Sequence, residues 1–317
     1  MAKKKKSHKS YAIDQSVFYR LSSKKKLSSI LNVELKVLKE LASGEGNYNV
    51  FTIEGGKCNL TGKVLKPRTI QNPKVDLKRI QKKIQVYISR ISSPDFNHGA
   101  SINRSYKTNA EHHINSESVA TFDITSFFEN TKRSKVFSFF YKKMKCSADV
   151  ADLLANLCTF RGALATGSPV SPILSFWANI DMFNAINKKC VGYNLQFTLY
   201  IDDITISGEK LPKTLRYQVE DLIKFHGYDI KKDKTRFFLR NDPKHITGLV
   251  ISKGRLRVPH SRFKKLRILK DRLSIETATA NRRKIMERIC GLVGEASYID
   301  DRYLSVAHDH YKLLKAL

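Results

Sequence analysis

Phe197-Thr-Leu-Tyr-Ile-Asp-Asp-Ile-Thr-Ile-Ser207 sets two adjacent acids, Asp202 and Asp203, inside a run that is otherwise β-favouring and largely apolar. Burying an ionised carboxylate without a partner is very costly, so a straight core strand would reject this pair. A hairpin with the acids at its tip accepts both. The turn lets them converge on one site, although neighbours on a straight strand face opposite ways. Taken alone, the pair fits an ordinary acidic turn about as well as a functional one.

A second acid stands in a similar place upstream. In Thr121-Phe-Asp-Ile-Thr-Ser-Phe-Phe128, Asp123 ends a short apolar strand and precedes a turn towards a helix. Three carboxylates delivered by neighbouring strand ends suit hard divalent ions, which take oxygen ligands. Two such ions a few ångströms apart activate an attacking hydroxyl and stabilise a leaving phosphate. With Asp123 included, the plain acidic turn becomes the minor reading.

Composition narrows the partner. Among 317 residues, 58 Lys and Arg stand against 29 Asp and Glu, a formal charge of +29. Such self-repulsion is easier to sustain when an anion neutralises it, and nucleic acid is the leading candidate. An anionic membrane ranks second, since no segment reads as a basic amphipathic anchor and no apolar run is long enough to span a bilayer. Hydrophobic residues make up 41%, enough for a core. The five cysteines, Cys58, Cys146, Cys158, Cys190 and Cys290, lack paired metal-type spacing. They are expected to be free thiols in a reducing cytoplasm. The lysines at positions 3 to 6 precede no apolar stretch, so a secretory signal is not expected.

Outward from the acids, residues 16–41 carry leucines and isoleucines at helical spacing, and 48–70 alternate as strands around Gly55-Gly56. Residues 75–91 predict a basic-faced helix, and 92–103 a loop. Residues 119–124 predict a strand, 133–161 helix broken near Cys146, and 171–189 one further helix. A helix over 214–226, strands over 235–239, 245–251 and near Leu256, and basic helices from Arg262 complete the pattern. Without a regular βαβ rhythm, the fold class is α+β.

Three motifs in this order resemble the reverse transcriptases, and within them the bacterial retron type. Tyr200-Ile201-Asp202-Asp203 resembles the Tyr-x-Asp-Asp signature, and Phe122-Asp123 with Phe127-Phe128 resembles the first catalytic motif. Gly167-Ser168-Pro169-Val170-Ser171-Pro172 resembles Gly-x-Pro-x-Ser-Pro. Lys66-Pro67-Arg68 resembles the fingers motif that holds the triphosphate, and Lys234 the lysine near the leaving pyrophosphate. Asn109-Ala110-Glu111-His112-His113 and Ile246-Thr247-Gly248 resemble two retron patterns.

The resemblance implies a right-hand polymerase fold, with fingers, a palm of antiparallel sheet plus helices, and a helical thumb. The divisions implied are a basic tail over 1–15, N-terminal helices and fingers over 16–118, palm over 119–255, and thumb over 256–317. It implies Asp123, Asp202 and Asp203 as catalytic residues holding two Mg2+ ions, with the Ile124 carbonyl as a further ligand and Mn2+ as a substitute. Lys66, Arg68, Phe128, Gly167 and Lys234 would meet the deoxynucleoside triphosphate, with Phe128 as steric gate against a ribose. Asn109, His113, Thr247 and Gly248 would meet RNA or primer, although for His113 the structural role is the favoured one. The partners implied are a cognate structured non-coding RNA and its branched DNA product, a separate effector protein in anti-phage defence, and host RNase H. Two alternatives stay open: a stand-alone reverse transcriptase of abortive-infection type, and a catalytically silent RNA-binding scaffold. Three departures stand out. Thr166 replaces a common Gln, Phe176 a common Asn, and Lys231 a common Asn.

Overall fold

The computed structural model describes residues 10–58, 60, 62 and 64–317. Its centre is a four-stranded antiparallel sheet in the order Arg236–Phe238, Ser118–Asp123, Asp203–Gly208, Gln196–Tyr200. Ala120, Phe122, Ile204 and Ile206 are among the sheet residues of the main hydrophobic cluster. Leu174, Phe183, Ile186, Val219 and Ile223 bring helices Ser171–Ala178, Ile180–Gly192 and Leu215–Phe225 into the same cluster. Val119 belongs instead to a second cluster, with Ala110, Ile246, Leu249, Ile251 and Ala296. Sheet residues thus belong to two hydrophobic clusters, which suits strands in which apolar positions run nearly unbroken.

Strands Tyr48–Ile53 and Arg68–Pro73 pair antiparallel and lead into helix Val75–Ser89, which buries Leu77, Ile80, Ile84 and Ile88 at helical spacing. The C-terminal helices His260–Ile275, Thr279–Ile299 and Leu304–Ala316 share a third cluster around Leu269, Ile289, Val293 and Ala307. Leu60 also packs against it, so the turn beyond the first strands touches these helices. Cys146, Cys158, Cys190 and Cys290 are buried free thiols.

Several expected elements differ. Residues 16–41 form two helices, Lys24–Leu31 and Leu35–Ser43, because Asn32 takes a left-handed conformation between them. The single helix expected over 171–189 is broken at Asn179, whose buried amide bonds Ser175, Thr131, Tyr228 and Lys135. The strand expected over 245–251 is a hairpin of Lys244–Ile246 and Leu249–Ser252. Its turn residues Thr247 and Gly248 both have positive φ, 45° and 81°, as a type I′ turn requires. Strand Arg255–Arg257 straddles the boundary expected between 255 and 256, and helix begins only at His260. The helix Tyr106–Glu111 was not foreseen; it is short, and its capping box of Ser105 and Thr108 lacks the usual Glu or Gln.

Candidate active site

The acids meet through strand register. Asp123 lies opposite Asp203, and Tyr200 pairs with Asp203 across the hairpin. The two-residue loop is therefore Ile201-Asp202. The Ile124 N–H donates to the Asp202 carbonyl at 3.1 Å, which ties the tip to the end of the central strand. Ile201 has φ +61° and Asp202 does not share the positive sign, the pattern of a type II′ turn. That position favours glycine, and a β-branched residue held there is strained by roughly 1–3 kcal/mol.

Charge at the site is divided unevenly. Asp123 is buried, with one carboxylate oxygen paired to Lys231 Nζ and the other to Lys234 Nζ at 2.6 Å. The Lys231 N–H also donates to the Asp123 carbonyl at 2.8 Å. The hydrogen bond to Asp123 raises Lys234 above the ordinary lysine range. At Asp203, burial, then Asp202 and Asp123, outweigh the pull of Lys234 and Lys231 and push its carboxyl up to about 7. Asp202 is raised by burial foremost and by Asp123 next.

Among the described residues, no three acidic, histidine or cysteine side chains are grouped closely enough to hold a metal ion as they stand. Lys231 and Lys234 engage both oxygens of Asp123 and bring positive charge to it. The donor set nevertheless fits Mg2+. It consists of hard carboxylate oxygens on adjoining strand ends, two of them in groups that burial disfavours as bare anions.

A cleft of about 260 Å³ brings Asp123, Asp203, Lys234, Thr247 and Gly248 together, with His245 at its side. Lys66 and Arg68 are exposed on the segment leading into strand Arg68–Pro73 and do not line it. Gly167 serves that strand: its N–H donates to the Gln71 carbonyl at 3.2 Å, and a Cβ there would lie 2.6 Å from the same oxygen. Thr166 joins the same contact, donating its N–H to Gln71 Oε1 and its hydroxyl to the Thr69 carbonyl. Phe128, half-buried, packs against the main cluster beside Phe127.

Two expected RNA contacts are corrected. Asn109 and His113 are both fully buried and offer nucleic acid no surface. His113 bonds Ser207 Oγ at 2.6 Å and Thr198 Oγ1 at 2.7 Å, so it clamps both strands of the acidic hairpin. Thr247 donates its hydroxyl to the Tyr106 carbonyl at 3.0 Å, joining its turn to the helix that carries Asn109. Sequence reasoning passed over Lys231 as a mere departure. Its signal was available, because it stands three positions before Lys234.

The reverse transcriptase (RNA-dependent DNA polymerase) family model matches residues 61–251, more than half of the chain. The chain belongs to the reverse transcriptase family. Reverse transcriptases act on nucleic acid and generally use divalent metal ions such as Mg2+. The chain is similar to the retron Se72 reverse transcriptase of Salmonella heidelberg, at 34% identity over 58% of this chain and 48% of that protein. It is similar to two Escherichia coli proteins as well. The retron Ec86 reverse transcriptase is 25% identical over 76% of this chain and 75% of its own length, and the retron Ec48 enzyme 27% identical over 93% and 75%. This chain thus matches about half the length of the Se72 relative. A solved foamy viral protease–reverse transcriptase in complex with double-stranded DNA aligns with TM-score 0.48 at 16% identity, covering 97% of this chain and 48% of that one. Among the described residues no helix is long and apolar enough to cross a membrane.

Proposed function

We propose that this chain is an RNA-directed DNA polymerase of retron type, copying part of a cognate structured non-coding RNA into DNA. The observation that carries the reading is Asp123 standing opposite Asp203 at the tip of the Asp202-Asp203 hairpin, with Lys234 beside them, in a reverse transcriptase chain. A primer hydroxyl attacks the α-phosphorus of a deoxynucleoside triphosphate. The new O–P bond forms, the bond to the β-phosphate oxygen breaks, and pyrophosphate leaves as the hydroxyl gives up its proton.

Asp123, Asp202 and Asp203 would hold two Mg2+ ions, or Mn2+ in their place, with the Ile124 carbonyl as a further oxygen. Bound there, the ions supply charge neutralisation at the reacting phosphate. Lys234 holds its proton at Nζ and would donate towards the pyrophosphate. Lys66 and Arg68 provide the charge and donors that a triphosphate takes. Phe128, five residues beyond Asp123, would exclude a 2′-hydroxyl. The divisions proposed are fingers ahead of the central sheet, palm around it, and thumb in the helices from His260. The resemblance to the retron type extends the proposal to priming from a guanosine 2′-hydroxyl, a separate effector in anti-phage defence, cytoplasmic action and reliance on host RNase H.

Primer extension on a primed RNA template with deoxynucleotides and Mg2+, beside Asp203→Asn, tests the chemistry. Extension by the wild type and none by the variant is expected, and equal extension by both overturns the site. Phe128→Ala should lower discrimination against ribonucleotides at least tenfold, read from single-nucleotide incorporation. Sequencing nucleic acid retained on the protein from cells tests the retron part. A branched RNA–DNA product is expected, and linear untemplated DNA overturns it.

A further inference from the structure

The loop of residues 92–103 lies against the acidic hairpin. The Leu199 N–H donates to the Phe96 carbonyl at 2.8 Å, and the His98 N–H to the Leu199 carbonyl at 2.8 Å, a parallel bridge of Asn97 to Leu199. Two residues further along each chain, Gly99 meets Ile201. A Cβ at Gly99 would lie 2.4 Å from Ile201 N, 3.0 Å from its Cγ1 and 3.2 Å from its Cα. The nearest obstacle is backbone, so no rotation of a side chain would relieve it. Ile201 is the residue held left-handed at φ +61° immediately before Asp202 and Asp203.

The loop is itself braced. The Arg104 guanidinium donates to the carbonyls of Pro94, Asp95 and Asn97 at 2.6, 3.0 and 2.8 Å. Asn97 is buried; its side-chain Nδ2 donates to Ser101 Oγ at 2.8 Å and its side-chain Oδ1 accepts the Gly99 N–H at 3.2 Å. A strained turn persists only where its surroundings over-determine it. Here that surrounding is a stiff loop whose closest point has no side chain.

We propose that Gly99 is a positioning residue for the polymerase reaction: by seating its bare Cα face on Ile201, it fixes the backbone that presents Asp202 and Asp203. This rests on the reading of those two acids as metal ligands. Gly99 touches neither substrate nor metal and acts through Ile201. Any side chain at 99 displaces the Ile201 backbone, and with it both carboxylates, without disturbing the three hydrophobic clusters.

The test measures Mn2+ binding to the full chain by electron paramagnetic resonance of the free ion, without nucleotide or RNA, alongside thermal melting and hydrogen exchange of the 199–203 amides. The proteins compared are wild type, Asp203→Asn and Gly99→Ala. Loss of binding in Asp203→Asn establishes the metal site; equal binding there overturns the metal reading, and this inference with it. Given that loss, Gly99→Ala should bind Mn2+ at least tenfold more weakly, with faster exchange at 199–203 and a melting temperature close to wild type. Binding within twofold of wild type in a folded Gly99→Ala protein overturns the inference and leaves the metal site standing. Should Gly99→Ala fail to fold, Asn97→Ala decides instead, since it frees Gly99 without adding bulk. At least threefold weaker binding is expected there, and wild-type binding overturns the proposal.

Discussion

Burial lifts the Asp203 carboxyl to about 7, and Asp202 and Asp123 push the same way. Between its ordinary value of 3.8 and 7, the folded protein holds a proton that the unfolded chain has lost. This group's contribution to stability therefore falls as pH rises through that window. In chelator, Asp203→Asn should be more stable than wild type at pH 8 by on the order of 1–2 kcal/mol, with the gap closing near pH 4, as read by urea denaturation. His113 runs the other way. Burial, aided by His112 and His98, pulls its imidazole down to about 3 from 6.5. The unfolded chain takes up the proton first, so stability is lost as pH falls from 6.5 towards 3. Replacing His113 with Ala should cost about 2–4 kcal/mol at pH 7 through two stranded hydroxyls and a cavity. The variant's stability should also vary less between pH 6.5 and 4.

Two-residue hairpins decide the site at the scale of elements, and the two differ in how they are made. Thr247-Gly248 uses glycine where φ is +81°, with open space around its Cα. Gly248→Ala should therefore lose about 1 kcal/mol from backbone conformation alone, measured by denaturant titration. Ile201-Asp202 has no glycine and depends on a glycine elsewhere. That contrast sets what is legible in the chain. The acidic hairpin can be read because two charges inside an apolar run admit few other conformations. The register opposing Asp123 to Asp203 follows once both strands end at their acids. The seat at Gly99 is a contact between residues about a hundred apart and leaves no local pattern. The 245–251 hairpin reads as one strand because Ile246-Thr247 continues the β-branched run into the turn. Asn109 and His113 carry polar side chains that usually mark a surface, and nothing nearby in sequence reveals that a sheet covers them.

At the scale of the whole molecule, a chain of net charge +29 carries an acidic group, Asp123 opposite Asp203, on its central sheet. RNA affinity should fall by roughly a thousandfold between 50 and 200 mM salt if six or more phosphates are contacted, and filter binding across a salt series would measure it. Asp203→Asn should keep the same slope, since the carboxylate meets no phosphate in binding alone. The fold class is legible at this scale because strands and helices interleave without βαβ rhythm, whereas the partition into three hydrophobic clusters depends on contacts between distant segments. The loop over strand Gln196–Tyr200 has one more consequence. That strand is an edge of the sheet, and its Leu199 amide and carbonyl are already taken by residues 96 and 98. The opposite edge, Arg236–Phe238, is only three residues long. A sheet closed on one side and curtailed on the other offers little template for a neighbouring chain. Copies drawn onto one RNA by their charge would therefore find little to pair with at this sheet.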